Sequence, residues 1–220
     1  MILINFINIP SVFPGTYETL IHSFPSDIQE LVNSYQQDQD KKRCFYGRLL
    51  LKKMLMEQGF PHTVLNDLKR DAKGRPYIHD EIDFNISHSS DYVLCAVSRQ
   101  SRVGIDINKM EDLDLNDIMN EVLNSREIQK INMSPTPHKD FYEIWTIKEA
   151  ALKADGAGLS KAMTELQIHE NTVLVGDERW YFSKLTICKQ YLAHVAYKQT
   201  QAISICDVSS LDFIQATRPY

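Results

Sequence analysis

Several features are scarce in this 220-residue chain, and each scarcity excludes something. The four cysteines, Cys44, Cys95, Cys188 and Cys206, form no CxxC pair, and the seven histidines are scattered. Neither a zinc site nor a redox pair is therefore expected. Two of the cysteines lie in the apolar runs YVLCAV and ISIC, where a thiol acts as a small hydrophobe. Reduced thiols in a cytoplasmic protein are the expectation. No HExxH, Walker A or dinucleotide-type glycine pattern occurs. No run approaches 18 apolar residues, so no membrane span is expected. The start, MILINFINIP, lacks a positive n-region and reads as a strand, not as a signal peptide. Bases are not in excess: 24 Lys and Arg face 29 Asp and Glu, a net charge of −5. That balance argues against a nucleic-acid binder.

The pattern that is present is mixed α and β. A strand is predicted at 2–7, and a short helix at 26–35 with Ser26 as its cap. A stronger helix runs from about 41 to 58, stopped by Gly59 and Pro61. The stretch LKRDAKGRP (68–76) reads as a polar loop. Strands follow at about 82–86, 91–98 and 103–107, with the turn SHSSD between the first two. Helices are expected near 116–123 and 125–131, the second boxed by Asn124 and Glu127. Prolines in NMSPTPHKD (132–140) predict a loop, then a helix from about 140 to 154 that ends at DGAG. From 163 to 206 the chain is strand-like, with a turn at Gly176-Asp177; the last residues, SSLDFIQATRPY, carry no assignment.

An internal echo spans these elements. Phe45, Tyr46 and Lys52 match Phe141, Tyr142 and Lys148 at an offset of 96, and the strand from Tyr92 matches that from Tyr191 at an offset of 99. A duplicated unit or a chance likeness of amphipathic patterns would both produce this. Duplication predicts an α+β pseudo-dimer of two similar halves, 1–102 and 103–220, each an antiparallel sheet packed with a long helix. The natural ligand site is then the cleft between them.

Four clusters carry chemistry. In GIDIN (104–108) strand alternation puts Asp106 and Asn108 on one face, where paired oxygens suit a hard cation such as Mg2+. Alone, the carboxylate equally fits a turn or cap acceptor. In WTIKEAAL (145–152), extended by Lys153, helical spacing groups Trp145, Lys148, Glu149 and Leu152 on one broad face. A surface ion pair beside a core tryptophan fits as well. In NISHS (85–89), Ser87 and His88 offer hydrogen bonds to a phosphate; adjacent on the chain, they diverge, and no GxSxG elbow supports a serine nucleophile. Finally, residues 41–75 hold ten bases (Lys41, Lys42, Arg43, Arg48, Lys52, Lys53, Lys69, Arg70, Lys73, Arg75) and three acids (Glu57, Asp67, Asp71). Such a zone is either a solvated face or the seat of a phosphorylated small molecule.

FNISHS (84–89), GIDI (104–107) and WTIKEAAL (145–152) resemble the three signature segments of the 4'-phosphopantetheinyl transferase superfamily, and KGRP (73–76) resembles its Gly-basic-Pro segment. The length is similar to the double-length, surfactin-synthetase-activating type. The resemblance implies Mg2+-dependent transfer (Mn2+ possible as the ion) of the 4'-phosphopantetheine arm from coenzyme A to a serine of an apo acyl or peptidyl carrier protein, in fatty acid or secondary metabolite assembly. It implies Asp106, Glu149 and Asn108 at the metal and Lys148 and Lys153 facing coenzyme phosphates. His88, with Ser87, would donate to a phosphate, and Arg75 and Arg43 would serve the nucleotide end. Glu149, directly or through a metal-bound water, is the implied base, with Asp106, Lys153 and His88 completing the catalytic set.

Two departures from the family stand out. Asn108 occupies a position that is often an acid, and DIQELVNSY (27–35) lacks the bases that relatives often carry there. Carrier docking is expected on 120–135, with Arg126 and Lys130 as rim charges, and a monomer is expected. The rival readings are a noncatalytic coenzyme A or carrier binder, a metal-dependent phosphohydrolase, and a nucleic-acid module resting on 41–75.

Overall fold

A computed structural model describes residues 1–11, 15–112, 114–156 and 162–209. The chain forms two compact units: Met1–Arg99 with the segment from Ala202, and Gln100–Gln201. The first unit contains β1 (Ile2–Asn8), α1 (Thr16–Leu20), α2 (Ser26–Asn33), α3 (Asp38–Glu57), β2 (Lys69–Arg70), β3 (Pro76–Tyr77), β4 (Asp83–Ser89) and β5 (Tyr92–Ser98). The second contains β6 (Val103–Lys109), α4 (Asn116–Val122), α5 (Ser125–Asn132), α6 (Pro137–Asp155), β7 (Gln167–His169), β8 (Thr172–Val175), β9 (Glu178–Leu185) and β10 (Tyr191–Tyr197). The chain then returns to the first unit as β11 (Ile203–Asp207), which pairs in parallel with β1.

That return changes the expected division at 102/103. Residues 202–209 add to the first sheet, whose order is β11-β1-β5-β4, and one of its pairings is therefore parallel. The second sheet, β6-β10-β9-β8-β7, is antiparallel throughout. The α+β class and the two similar sheet-plus-helix halves stand as expected. Each long helix lies on its own sheet. In the first unit Phe45, Leu49 and Leu50 of α3 pack with Phe84, Val93 and Val97. In the second, Ala150, Ala151 and Ala154 of α6 pack with Val173, Trp180 and Ala196. The echo is visible in detail. Phe45 meets Tyr46 edge-on at 5.1 Å, and Phe141 meets Tyr142 edge-on at 5.4 Å. Lys52 and Lys148 are both buried. Among the described residues no helix is long and apolar enough to cross a membrane.

Element ends differ from the sequence reading for local reasons. Helix α3 begins three residues early, with Asp38 and Asp40 in its first turn complementing the helix dipole. Pro25, not Ser26, holds the N-cap position of α2, and no side chain caps it. Helix α6 starts at Pro137, the first helical position, where a missing N–H costs nothing. Its exit through Gly156, at φ 77°, is as expected; Gly158 of DGAG and the tail 210–220 lie outside the described residues. The 68–76 loop closes as a two-residue ladder between β2 and β3. Strand β4 continues through His88 to Ser89, which pairs with Tyr92, so the turn is only Ser90-Asp91. The capping box of Asn124 and Glu127 on α5 is present in both directions.

His194 of β10 lies opposite Asp106 in register and is 1% exposed. The Thr146 hydroxyl donates to the Tyr142 carbonyl at 2.8 Å and lies 2.8 Å from His194 Nδ1. Burial, aided by Lys184, pulls the imidazole down to about 3. The unfolded chain takes up this proton near pH 6.5 and the folded chain does not. The stability His194 contributes is therefore full above pH 6.5 and is lost as pH falls from there toward 3, at about 1.4 kcal/mol per pH unit. A His194→Gln variant is expected to show a chemical-denaturation stability that falls less steeply from pH 6.5 to 5, by roughly 2 kcal/mol over that interval. Parallel curves for the two proteins would contradict this.

Candidate active site

Strand β6 alternates as its sequence requires. Ile105 and Ile107 are buried on one face, and Gly104, Asp106 and Asn108 share the other. Gly104 is a close-approach position. A Cβ there would stand 2.1 Å from the Ala150 carbonyl oxygen and 2.3 Å from the Ala154 nitrogen. Strand and helix backbones therefore nearly touch, and Asp106 is brought to the side chains on that stretch of α6. The Lys153 ammonium donates to Asp106 Oδ1 at 2.5 Å, and the Asn108 amide donates to Oδ2 at 2.8 Å. Asp106 is 4% exposed, so both carboxylate oxygens are met where water is scarce. Glu149 sits one turn before Lys153. Burial raises its pKa and the charge of Asp106 raises it further, while Lys153 pulls it down. Asp106, Glu149 and Lys153 thus form one electrostatic cluster.

This donor set fits a hard divalent cation. It offers two carboxylates and an amide whose oxygen replaces its nitrogen on a half-turn of χ2. Burial is the first cause of the raised Glu149, because it disfavours the charged carboxylate, and a bound cation would offset that cost. Among the described residues no group of three or more His, Cys, Asp or Glu is placed to hold a metal.

Lys148 departs from its expected role. It is fully buried, and its ammonium donates to Glu127 Oε2 at 2.6 Å and to the Val122 carbonyl at 2.9 Å. The helical spacing that groups it with Trp145 and Glu149 places it on the core side of α6. Burial lowers its pKa and Glu127 opposes the shift. Glu127 is the residue that sequence reasoning under-read. The same Oε2 that closes the capping box on Asn124 also receives this lysine, tying α5 to α6. Nothing in the local pattern signals that second bond. Replacing Lys148 with Met removes the cation and both hydrogen bonds. A loss of about 3 kcal/mol is expected in urea unfolding. Adding Glu127→Gln should recover part of it, and an unchanged urea midpoint for Lys148→Met would contradict the pairing.

The remaining candidates lie in the first unit. On β4, Ser87 is buried and His88 is exposed, so the two diverge as expected, by alternation within the strand and not at the turn. Arg43 donates through Nε to the Ser90 carbonyl at 2.7 Å and through Nη1 to Asp40 at 2.7 Å, which fixes it beside the turn that follows His88. Arg75 pairs with Asp83 at 2.7 Å and donates to the Phe84 carbonyl at 3.3 Å. The two arginines are therefore anchored towards opposite ends of β4.

Comparison with known proteins finds relatives of both halves of the chain. The model of the 4'-phosphopantetheinyl transferase superfamily matches residues 102–206, and that of the 4'-phosphopantetheinyl transferase N-terminal region matches 13–100. A putative 4'-phosphopantetheinyl transferase of Haemophilus influenzae is 32% identical over 178 residues, covering 73% of this chain and 74% of that protein. The 4'-phosphopantetheinyl transferase gsp of Aneurinibacillus migulanus is 28% identical, covering 78% and 73%. The human L-aminoadipate-semialdehyde dehydrogenase-phosphopantetheinyl transferase is 26% identical, covering 90% and 74%. With both halves matched and the acidic pair of β6 and α6 in one cluster, this chain belongs to the 4'-phosphopantetheinyl transferase superfamily of enzymes.

Proposed function

We propose that this chain moves the 4'-phosphopantetheine group of coenzyme A onto a serine hydroxyl of an apo acyl or peptidyl carrier protein, in a reaction that needs Mg2+ or, in its place, Mn2+. The other product is adenosine 3',5'-bisphosphate. The observation that carries this reading is the cluster of Asp106, Glu149 and Lys153 where β6 crosses α6. We place it with the double-length, surfactin-synthetase-activating type, a reading with which a two-unit chain is compatible.

Asp106, Glu149 and, after an amide flip, Asn108 would hold the cation. When bound, it would polarise the pyrophosphate and offset charge on the leaving bisphosphate. The protein's own groups do the rest. Glu149, whose pKa is raised by burial, accepts the serine proton, directly or through a water. The serine oxygen bonds to the phosphorus that carries the pantetheine arm, and the bond from that phosphorus to the bridging pyrophosphate oxygen breaks. Lys153 neutralises charge gathering on the phosphates. His88, with Ser87, serves a phosphate, and Arg43 and Arg75 serve the nucleotide end. Lys148 acts at a remove, by holding α6 to α5.

Carrier docking is assigned to 120–135. Arg126 and Lys130 of α5 border a groove of about 420 Å³ whose apolar lining includes Ile131, Ile144, Ile147 and Phe182. Met133, at the C-cap of α5, is 80% exposed. Asp140, Glu143 and Glu170 also line the groove, so attraction for an acidic carrier helix is confined to the α5 side.

The test is a mass gain of one phosphopantetheine on the serine of an apo carrier, across a panel of carriers, with coenzyme A and Mg2+ and again with a chelator. Transfer that stops with the chelator is expected. Coenzyme turnover without any carrier, or no mass gain on any carrier, would overturn the reading. The neutral Asn108 makes a further prediction. Asn108→Asp restores a negative ligand and should lower the Mg2+ concentration for half-maximal transfer severalfold, and an unchanged or higher value would contradict Asn108 as a ligand.

A further inference from the structure

Three residues stand side by side across the second sheet: Asp106 of β6, His194 of β10 and Lys184 of β9. Directly opposed residues of antiparallel strands point to the same face, so the row meets a single helix. Each member is tied to a different turn of α6. Asp106 accepts from Lys153 at 2.5 Å, His194 Nδ1 is hydrogen-bonded to the Thr146 hydroxyl at 2.8 Å, and Lys184 donates to Glu143 at 2.9 Å. The outer two ties are ion pairs whose lysines are partly exposed, and such pairs hold a helix in place weakly. The middle tie differs. Thr146 and His194 are 0% and 1% exposed, and the hydroxyl is itself held by the Tyr142 carbonyl at 2.8 Å.

Beside this tie, α6 packs on its sheet through small apolar groups, with Ala150, Ala151 and Ala154 in one core with Val173 and Ala196. Such packing sets the distance of the helix from the sheet but has no direction, whereas a hydrogen bond does. The first half of the chain supplies the comparison. By the offsets of the internal echo, 96 along the helix and 99 along the strand, Thr146 and His194 correspond to Leu50 and Cys95. Both of these are fully buried in the core between α3 and its sheet, so a long helix packs on such a sheet without a polar pair. The matching row there is Asn5, Cys95 and Ile86, with no carboxylate in it. The polar pair therefore occurs in the half that carries the acids. A buried hydrogen-bonded pair adds little stability over an apolar pair that fills the same space; what it can add is one preferred arrangement.

We propose that Thr146 and His194 are positioning residues: their hydrogen bond sets the register of α6 on the sheet and thereby stations Glu149, one turn after Thr146, against Asp106 of the neighbouring strand. The roles of Asp106 and Glu149 rest on the proposed function, whereas the pin itself stands on the three ties and on its apolar counterpart in the first half. Lys153 cannot replace it, because its partner Asp106 is a proposed cation ligand and that tie changes with occupancy.

The experiment uses the full chain as Thr146→Val, Thr146→Ser and the transplant Thr146→Leu/His194→Cys, which puts the apolar pair of the first half into the second. Each is read by Mn2+ affinity in electron paramagnetic resonance with coenzyme A present, by kcat and KM for carrier modification, and by its urea midpoint. Thr146→Val removes the hydroxyl at nearly constant shape. It should weaken Mn2+ binding about tenfold and lower kcat about tenfold, with KM for coenzyme A within about twofold of the wild type. Thr146→Ser restores the hydroxyl and should recover both. The transplant orphans no polar atom and should keep a urea midpoint near the wild type, yet bind Mn2+ and turn over as poorly as Thr146→Val. It also covers the case in which Thr146→Val does not fold. Wild-type Mn2+ affinity and kcat in Thr146→Val or in the transplant, or losses that follow the urea midpoint alone, would overturn the pin. No transfer by the wild type, with a Mn2+ affinity that depends on the hydroxyl, would uphold the pin and remove the transferase reading instead.

Discussion

Glu149→Gln is expected to cut carrier modification about a thousandfold while leaving the fold intact. The substitution keeps size and hydrogen bonding but removes the proton acceptor, and general-base catalysis contributes about 10²–10⁴ in rate. It also removes one of the two charged oxygens available to a divalent cation. The loss belongs in kcat, because the groups assigned to the nucleotide end, Arg43 and Arg75, sit on other elements and hold their positions through Ser90, Asp40 and Asp83. Removal of Glu149 should not destabilise the protein, since its carboxyl is partly buried at the expense of its charged form. Single-turnover mass measurements with saturating coenzyme A would read this directly. A variant keeping more than about a tenth of the wild-type rate would leave Glu149 without the assigned role.

The second large effect concerns a residue with no side chain. Gly104→Ala should cost about 3 kcal/mol or more and lower the melting temperature by about 6–12 °C. The new methyl would meet backbone atoms, the Ala150 oxygen at 2.1 Å and the Ala154 nitrogen at 2.3 Å, and no rotamer change moves those. Strand β6 must then lift from α6, which also draws Asp106 away from Glu149 and Lys153, so transfer should fall even in the molecules that stay folded. Gly47 makes the comparison fair. A Cβ there would come within 2.9 Å of Ile86 Cγ2, the end of a side chain that can turn aside. Gly47 also lies inside α3, where alanine gains about 1 kcal/mol in helix propensity. Gly47→Ala should therefore be close to neutral. Equal melting temperatures for the two variants would contradict the close approach of β6 and α6.

Much of this was legible in the sequence, and the reasons are physical. Alternation along GIDIN separated Ile105 and Ile107 from Asp106 and Asn108, because side chains on a strand have a period of two. Helical spacing put Glu149 and Lys153 on neighbouring turns. The doubled Phe-Tyr and Tyr-led strand patterns foretold two sheet-plus-helix halves. What escaped was set by contacts between distant segments. The parallel addition of β11 to β1 leaves no mark on either strand's composition. The burial of Lys148 depends on a partner 21 residues away on α5, whereas helical periodicity knows only its own axis. Arg48 looked like one more base on a solvated helix, and its orphaned Nε appears only once α3 is packed against its sheet.

A Mn2+ titration read by electron paramagnetic resonance, on the full chain with coenzyme A, bears most directly on the pairing of the two acids. The wild type should take up one ion per chain, and both Asp106→Asn and Glu149→Gln should lose it. An ion retained with undiminished affinity in either variant would mean that the carboxylates of β6 and α6 do not share a cation.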